Sequence, residues 1–241
     1  MGDDLSDFMA RRTPTADRPL LGLTVLVVED SRYACEALRL MCLRSGARIR
    51  RADCIASARR HLQCYRPAIV IVDLGLPDGS GLDLIAEIAG QAPRRPALLA
   101  TSGEPSAVTV ALSKGADGFL AKPYESLAAF QQAALGVLPA VTPPGRQTAT
   151  LPGQDRIEPD PMALRDDLTH VAALLRATPD RGTLGYVAQF LSGVALSAHD
   201  DTLGAAAEAL ASGCRDGGEA PGPLAHISGL VQDRLAATAA I

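Results

Sequence analysis

The chain has 241 residues, of which 47% are hydrophobic, 21% charged and 3% aromatic, with no tryptophan, so its packing must rest on aliphatic side chains. That length accommodates two modest domains, no apolar run approaches the roughly 18 residues that span a bilayer, and the acidic N-terminus MGDDLSDFMARR carries carboxylates where an export signal carries bases; a cytoplasmic protein without membrane contact is expected. The net charge of −4 is uneven: residues 20–138 hold 13 basic and 11 acidic side chains, whereas residues 139–241 hold seven basic and twelve acidic, a balance that repels a phosphate backbone and argues against nucleic acid as a partner.

In chain order, residues 1–19 have scattered charges and little periodicity and are expected to be a flexible tail. Val25–Val28 is a short apolar strand ending in Glu29-Asp30, and Ser31 suits the N-cap of a helix with Ala34, Leu38, Met41 and Cys42 on one face, stopped by Gly46. Cys35 and Cys42, seven apart, fall on the buried side of that helix, and the five cysteines as a set show no metal-ligand spacing. A weaker strand (Ala47–Ala52) and a helix (Ser57–Tyr65) precede Ile69–Val72, whose β-branched run marks a strand buried on both faces and ends at Asp73. Gly75, Pro77, Gly79 and Gly81 then predict an irregular loop before an amphipathic helix at Leu82–Ala89. A fourth strand (Ala97–Ala100) ends in Thr101-Ser102-Gly103, a helix spans about Pro105–Lys114, a fifth strand (Phe119–Ala121) ends at Lys122-Pro123, and Glu125–Val137 is helical. Five strands alternating with five helices specify a doubly wound parallel α/β sheet over residues 20–138. Right-handed crossovers bring the ends of strands one, three, four and five to one rim.

That rim collects Glu29, Asp30, Asp73, Thr101 and Lys122. Three converging carboxylates repel one another unless a hard cation lies between them, and Mg²⁺ accepts such oxygen ligands while keeping several waters. Asp73 is placed to act as the nucleophile toward a phosphoryl group, forming an acyl phosphate, with the Lys122 ammonium and the Thr101 hydroxyl offsetting charge on the transferring oxygens.

Four motifs, VLVVEDS, VDLGLPDGSGLDL, LLATSG and GADGFLAKPY, together resemble the receiver domain of two-component response regulators, over about Leu20 to Val137. The resemblance implies a flavodoxin-like five-stranded parallel sheet of order 2-1-3-4-5. It implies that Asp73 is the phospho-acceptor, that Asp30 binds Mg²⁺ directly and Glu29 partly through water, that the Gly75 carbonyl completes the protein ligands, and that Lys122-Pro123 is a cis peptide bond. Thr101 takes the part of the switch hydroxyl, with Ser102 beside it as the alternative, and Phe119 that of the aromatic that moves with it, or else an ordinary core residue. Gly75 and Gly103 lie two beyond Asp73 and Thr101, where family members often carry side chains that influence the attacking water. Neither glycine can reach it, so slow loss of the phosphoryl group is expected.

Residues 139–160 form a proline-rich linker, and residues 161–241 read as four amphipathic helices of a small all-α bundle: Pro161–Thr178, Thr183–Ala198, Asp200–Ser212 and, after a Gly/Pro-rich break, Leu224–Ala240. Asp160-Pro161 and Asp200 are helix starts and Gly213 is a stop. Ala188–Leu210, AQFLSGVALSAHDDTLGAAAEAL, is similar to two helices of histidine phosphotransfer domains, but Gln189 stands where the transfer histidine would be and Ser192 where a lysine is usual. Without an imidazole there is no nitrogen nucleophile. The reading is a response regulator, not an enzyme, that accepts a phosphoryl group from a histidine kinase or phosphotransfer protein and signals through a downstream protein contact. Dimerisation through the fourth-to-fifth-helix face or the bundle stays open. The alternatives are a phosphorelay intermediate carrying phosphate on His170, His199 or His226, and a receiver governing an unrecognised helical enzyme.

Overall fold

The computed structural model describes residues 14–91, 93, 95–139, 157–177, 179–215 and 221–238; the expectations for most of the tail and linker lie outside them. Five strands, β1 (Thr24–Val28), β2 (Arg48–Ala52), β3 (Ile69–Asp73), β4 (Ala97–Ser102) and β5 (Gly118–Ala121), pair in parallel in the order β2-β1-β3-β4-β5. Helices α1 (Arg32–Arg44), α2 (Ile55–Cys64), α3 (Gly81–Ala89), α4 (Ala107–Ser113) and α5 (Leu127–Gly136) connect and cover them. This is the flavodoxin-like order expected.

Strand side chains alternate between the two faces of the sheet. Val25, Val27, Ile69, Ile71 and Leu99 pack with Leu38, Met41 and Phe130 on one side. Leu26, Val28, Val70, Val72 and Leu98 pack with Ile55, Leu84, Ile85 and Ile88 on the other. Carrying that alternation past the strand ends puts Glu29, Asp73, Thr101 and Lys122 in line with the first set. The register agrees, since Asp73 stands directly beside Thr101.

The structure departs from the sequence at several points. The loop after Asp73 is not wholly irregular: Gly75–Leu76 pairs antiparallel with Gly79–Ser80, and α3 begins at Gly81. A positive φ of 152° at Gly79 closes that tight turn. Helix α2 starts two residues earlier than predicted because the Asp78 carboxylate, at the tip of the turn, accepts from the N–H groups of Ile55 and Ala56 at 2.8 and 2.9 Å. A side chain more than twenty residues away thus satisfies donors that α2 cannot satisfy itself. Ile157, in the predicted linker, is buried in the core beneath α1 and α5, and its N–H donates to the Glu125 carbonyl at 3.2 Å.

Helices α6 (Pro161–Arg176), α7 (Arg181–Ala198), α8 (Asp201–Arg215) and α9 (Pro221–Thr238) form the bundle, each packing on the next and α9 closing back on α6. Asp160 and Asp180 cap α6 and α7 by accepting from Met162 and Thr183 N–H at 2.9 and 2.7 Å. Leu168, Val171, Val187, Leu191, Val194, Leu203, Leu210, Ile227 and Val231 make a core separate from the two of the sheet. Gly213 does not stop α8, because Arg181 caps its terminal carbonyls, donating from Nε to the Cys214 carbonyl at 2.7 Å. Among the described residues no helix is long and apolar enough to cross a membrane.

Candidate functional site

Elements β1, β3 and β5 deliver Glu29, Asp73 and Lys122 to one rim, where all three are buried. The Lys122 ammonium lies 2.9 Å from Glu29 Oε2 and 3.3 Å from Asp73 Oδ1. Oxygens of Glu29, Asp30 and Asp73 lie within 4.8 Å of one another. Burial pushes the Glu29 carboxyl up to about 8, against the opposing pull of Lys122, and pushes Asp30 up to about 6. Burial alone would lower the Lys122 ammonium, but Asp73 and Glu29 outweigh it and hold it well above the usual lysine range. One ammonium against three carboxylates leaves the buried cluster only partly compensated, which is costly. Its donors are hard carboxylate oxygens, with the half-buried Gly75 lining the same cavity, so the residues present fit a magnesium ion.

Thr101 is fully buried, and its hydroxyl lies 2.6 Å from the Tyr124 hydroxyl. Tyr124 in turn lies 3.5 Å from Glu29 Oε2. Ser102, on the opposite face by alternation, accepts from the Glu104 N–H at 3.1 Å. Thr101 therefore shares the face of Asp73 and Lys122, and Ser102 does not. Phe119 is half-buried and packs against the core on the other side of the sheet. The Lys122-Pro123 bond is cis. Tyr124 escaped the sequence reading, although it is the last residue of the motif that carries the lysine.

The bundle lies over this rim. Asp167 of α6 is buried and serves three donors at the start of α1: Ser31 Oγ at 2.7 Å, Arg32 N–H at 2.8 Å and Tyr33 N–H at 3.1 Å. A carboxylate at a helix N-terminus satisfies orphan donors and meets the positive end of the dipole. Tyr186 of α7 donates to Asp30 Oδ2 at 2.7 Å. His199, in the left-handed conformation at the end of α7, pairs with Glu125 at 2.6 Å. Between rim and bundle is a cavity of about 910 Å³ lined by Asp30, Asp73, Lys122, Gln189 and Gly193, among others. His170 packs edge-on against Phe190, and His226 is exposed on α9. Neither they nor His199 line that cavity. No single residue type announced Asp167 or Tyr186 in the sequence, because their partners are more than 130 positions away.

Residues 25–133 match the response regulator receiver domain family. The KDP operon transcriptional regulatory protein KdpE of Escherichia coli is 32% identical over 100 residues, 42% of this chain and 44% of that protein. The virulence transcriptional regulatory protein PhoP of Salmonella typhimurium is 37% identical over 103 residues, 42% of this chain and 46% of that protein. The match thus spans less than half the length of these relatives. A putative response regulator from Chloroflexus aurantiacus shares 28% identity over 47% of this chain and 97% of its own, with a TM-score of 0.43. The family match ends before the bundle begins.

Proposed function

We propose, from the match of residues 25–133 to the response regulator receiver family, that this chain is a cytoplasmic phospho-acceptor that signals through protein contacts rather than a catalyst for an external substrate. Receiver domains work with histidine kinases or phosphotransfer proteins, and a phosphohistidine of such a partner is the donor here. An Asp73 carboxylate oxygen attacks phosphorus, the N–P bond breaks with its electron pair returning to the imidazole, and an acyl phosphate forms on Asp73. Lys122 offsets charge on the transferring oxygens, and Thr101 donates to one of them once it leaves Tyr124. Asp30, Asp73 and the Gly75 carbonyl would hold Mg²⁺, with Glu29 acting partly through water. The ion supplies charge neutralisation to the developing phosphoryl group.

The observation that carries this reading is the convergence of three carboxylates and one ammonium on the strand-end rim. The output follows from where the bundle sits. Tyr186 engages an oxygen of Asp30, so a charged group arriving at the rim meets α7 directly, shifts its contacts there while it stays docked, and alters the surface offered to a downstream protein. The test is incubation of the full chain with phosphoramidate and Mg²⁺, followed by intact-mass measurement. One phosphoryl group is expected on the wild-type chain and none on Asp73→Asn; equal labelling of both would overturn the assignment.

A further inference from the structure

One stripe of α7, spaced three, four and three residues apart, faces the rim. Tyr186 meets Asp30. Gln189 covers Gly75: a Cβ built on that glycine would stand 2.7 Å from Gln189 Cδ and 3.2 Å from Oε1. Gly193 follows one turn later, where a Cβ would stand 3.9 Å from Lys122 Nζ. Leu196 covers Gly103, its Cδ2 3.0 Å from a Cβ built there. The two receiver positions that lack side chains are therefore filled from the bundle, one by a carboxamide and one by an aliphatic group. Larger residues at 75 and 103 would hold α7 away from the rim.

The Gln189 side chain is exposed to the cavity that Asp73 and Lys122 also line, and among the described residues its carboxamide has no hydrogen-bond partner. A carboxamide accepts through Oε1 and donates through Nε2, so it can hold a water molecule in a fixed direction without changing charge. Beside a phosphoryl group, a glutamine of this kind directs the attacking water. The cavity has room for the phosphoryl group and several waters.

We propose that Gln189 is a catalytic residue for hydrolysis of the Asp73 acyl phosphate, supplied in cis by the bundle to a receiver that lacks a side chain at residue 75. The inference rests on the reading that Asp73 is the phospho-acceptor. Water oxygen attacks phosphorus, the bond between phosphorus and the Asp73 carboxylate oxygen breaks, and its electron pair returns to the carboxylate. The products are inorganic phosphate, which retains the oxygen of the water, and one proton passed to phosphate or solvent. Gln189 accepts a hydrogen bond from the attacking water and is unchanged at the end. The helix position where a transfer histidine would stand thus serves to remove the phosphoryl group rather than carry it onward. The slow loss expected from Gly75 and Gly103 alone is replaced by loss that depends on docking.

The test uses full-length chain loaded with phosphoramidate and Mg²⁺, freed of donor and followed by intact mass. Gln189→Ala is expected to lengthen the acyl-phosphate half-life by about tenfold or more. Asp167→Ala, which removes the docking carboxylate, is expected to lengthen it similarly, and the double variant to add little, because both remove the same group from the site. Unchanged thermal unfolding of Gln189→Ala establishes that the fold is intact. A half-life unchanged or shortened by Gln189→Ala overturns the proposal, and shortening by both variants shows instead that the bundle shields the acyl phosphate. A wild-type chain that takes up no phosphoryl group, or an Asp73→Asn chain that does, overturns the underlying reading and the proposal with it; that failure appears in the loading step, before any half-life is measured.

Discussion

In the receiver, the rim side chains sit at the carboxyl ends of buried strands, within them for Asp73 and Thr101 and one residue beyond for Glu29 and Lys122, whereas in the bundle they sit on a stripe of one helix whose opposite face is core. Strand alternation places Glu29, Asp73, Thr101 and Lys122 together through backbone pairing alone, and parallel β3 and β4 set Asp73 beside Thr101. Tyr186 and Gln189 reach the same rim only because a second domain with its own core docks there. The first arrangement survives any change that leaves the sheet intact. The second depends on a few polar contacts that can be broken singly, and a separable contact is what a regulated surface requires.

Emptying the bundle core is expected to separate the two domains most. Leu191 is fully buried, and Leu191→Ala is expected to cost the bundle about 3 kcal/mol while the receiver keeps its capacity to take a phosphoryl group. Denaturant unfolding should separate into two transitions, of which only the bundle's moves. A single shifted transition would mean that the two cores unfold as one.

Next comes the docking carboxylate. Asp167→Ala orphans three donors at the start of α1 and is expected to weaken docking by about 2 kcal/mol. Faster hydrogen exchange at the Arg32 and Tyr33 amides, with α6 remaining helical, is the readout, since those two N–H groups donate to Asp167.

Folding raises Glu29 to about 8 and Asp30 to about 6, so between the unfolded values near 4 and these folded values the native chain holds protons that the unfolded chain has released. Stability in the absence of a divalent cation therefore falls as pH rises through that window. The cation must displace the same protons, so Mg²⁺ affinity rises with pH, by about tenfold per unit for each proton displaced. Thermal unfolding with and without Mg²⁺ at pH 6 and pH 8 should show the larger stabilisation at pH 8; equal stabilisation would place the ion away from these carboxylates.

The smallest effect is expected from the exposed Arg32–Asp166 pair, 2.6 Å apart and beside Asp167. Arg32→Ala should change docking by less than about 1 kcal/mol, since both groups remain solvated. A loss as large as that of Asp167→Ala would move the energetic centre of the interface to its edge.

Much of this was legible in the residues. The apolar runs ending in Glu29, Asp73, Thr101 and Lys122 place those side chains at one rim from the sequence alone, because period-two alternation and parallel pairing are local rules. The cap of α2 by Asp78 and the burial of Ile157 were not legible, since each depends on a partner brought near by chain reversal. Thr101 and Ser102 were adjacent candidates in the sequence, and only the strand register separates the one beside Asp73 from the one on the far face. Gln189 was visible as an oddity in a helix that lacks its histidine, yet its position on Gly75 could not be read from spacing.

In the receiver, the strands and helices, the acidic rim, the lysine and the neighbouring hydroxyl follow from hydrophobic periodicity and short-range motifs, and the strand order from the resemblance those motifs carry. Tertiary structure alone decided that the acidic bundle folds back over that rim, with Asp167 on the N-terminus of α1, Tyr186 on Asp30 and Gln189 in the space left by Gly75. Periodicity says which face of a helix is apolar and buried in its own domain. It carries no record of what the polar face will meet, because that choice is made by complementarity between surfaces far apart in the chain.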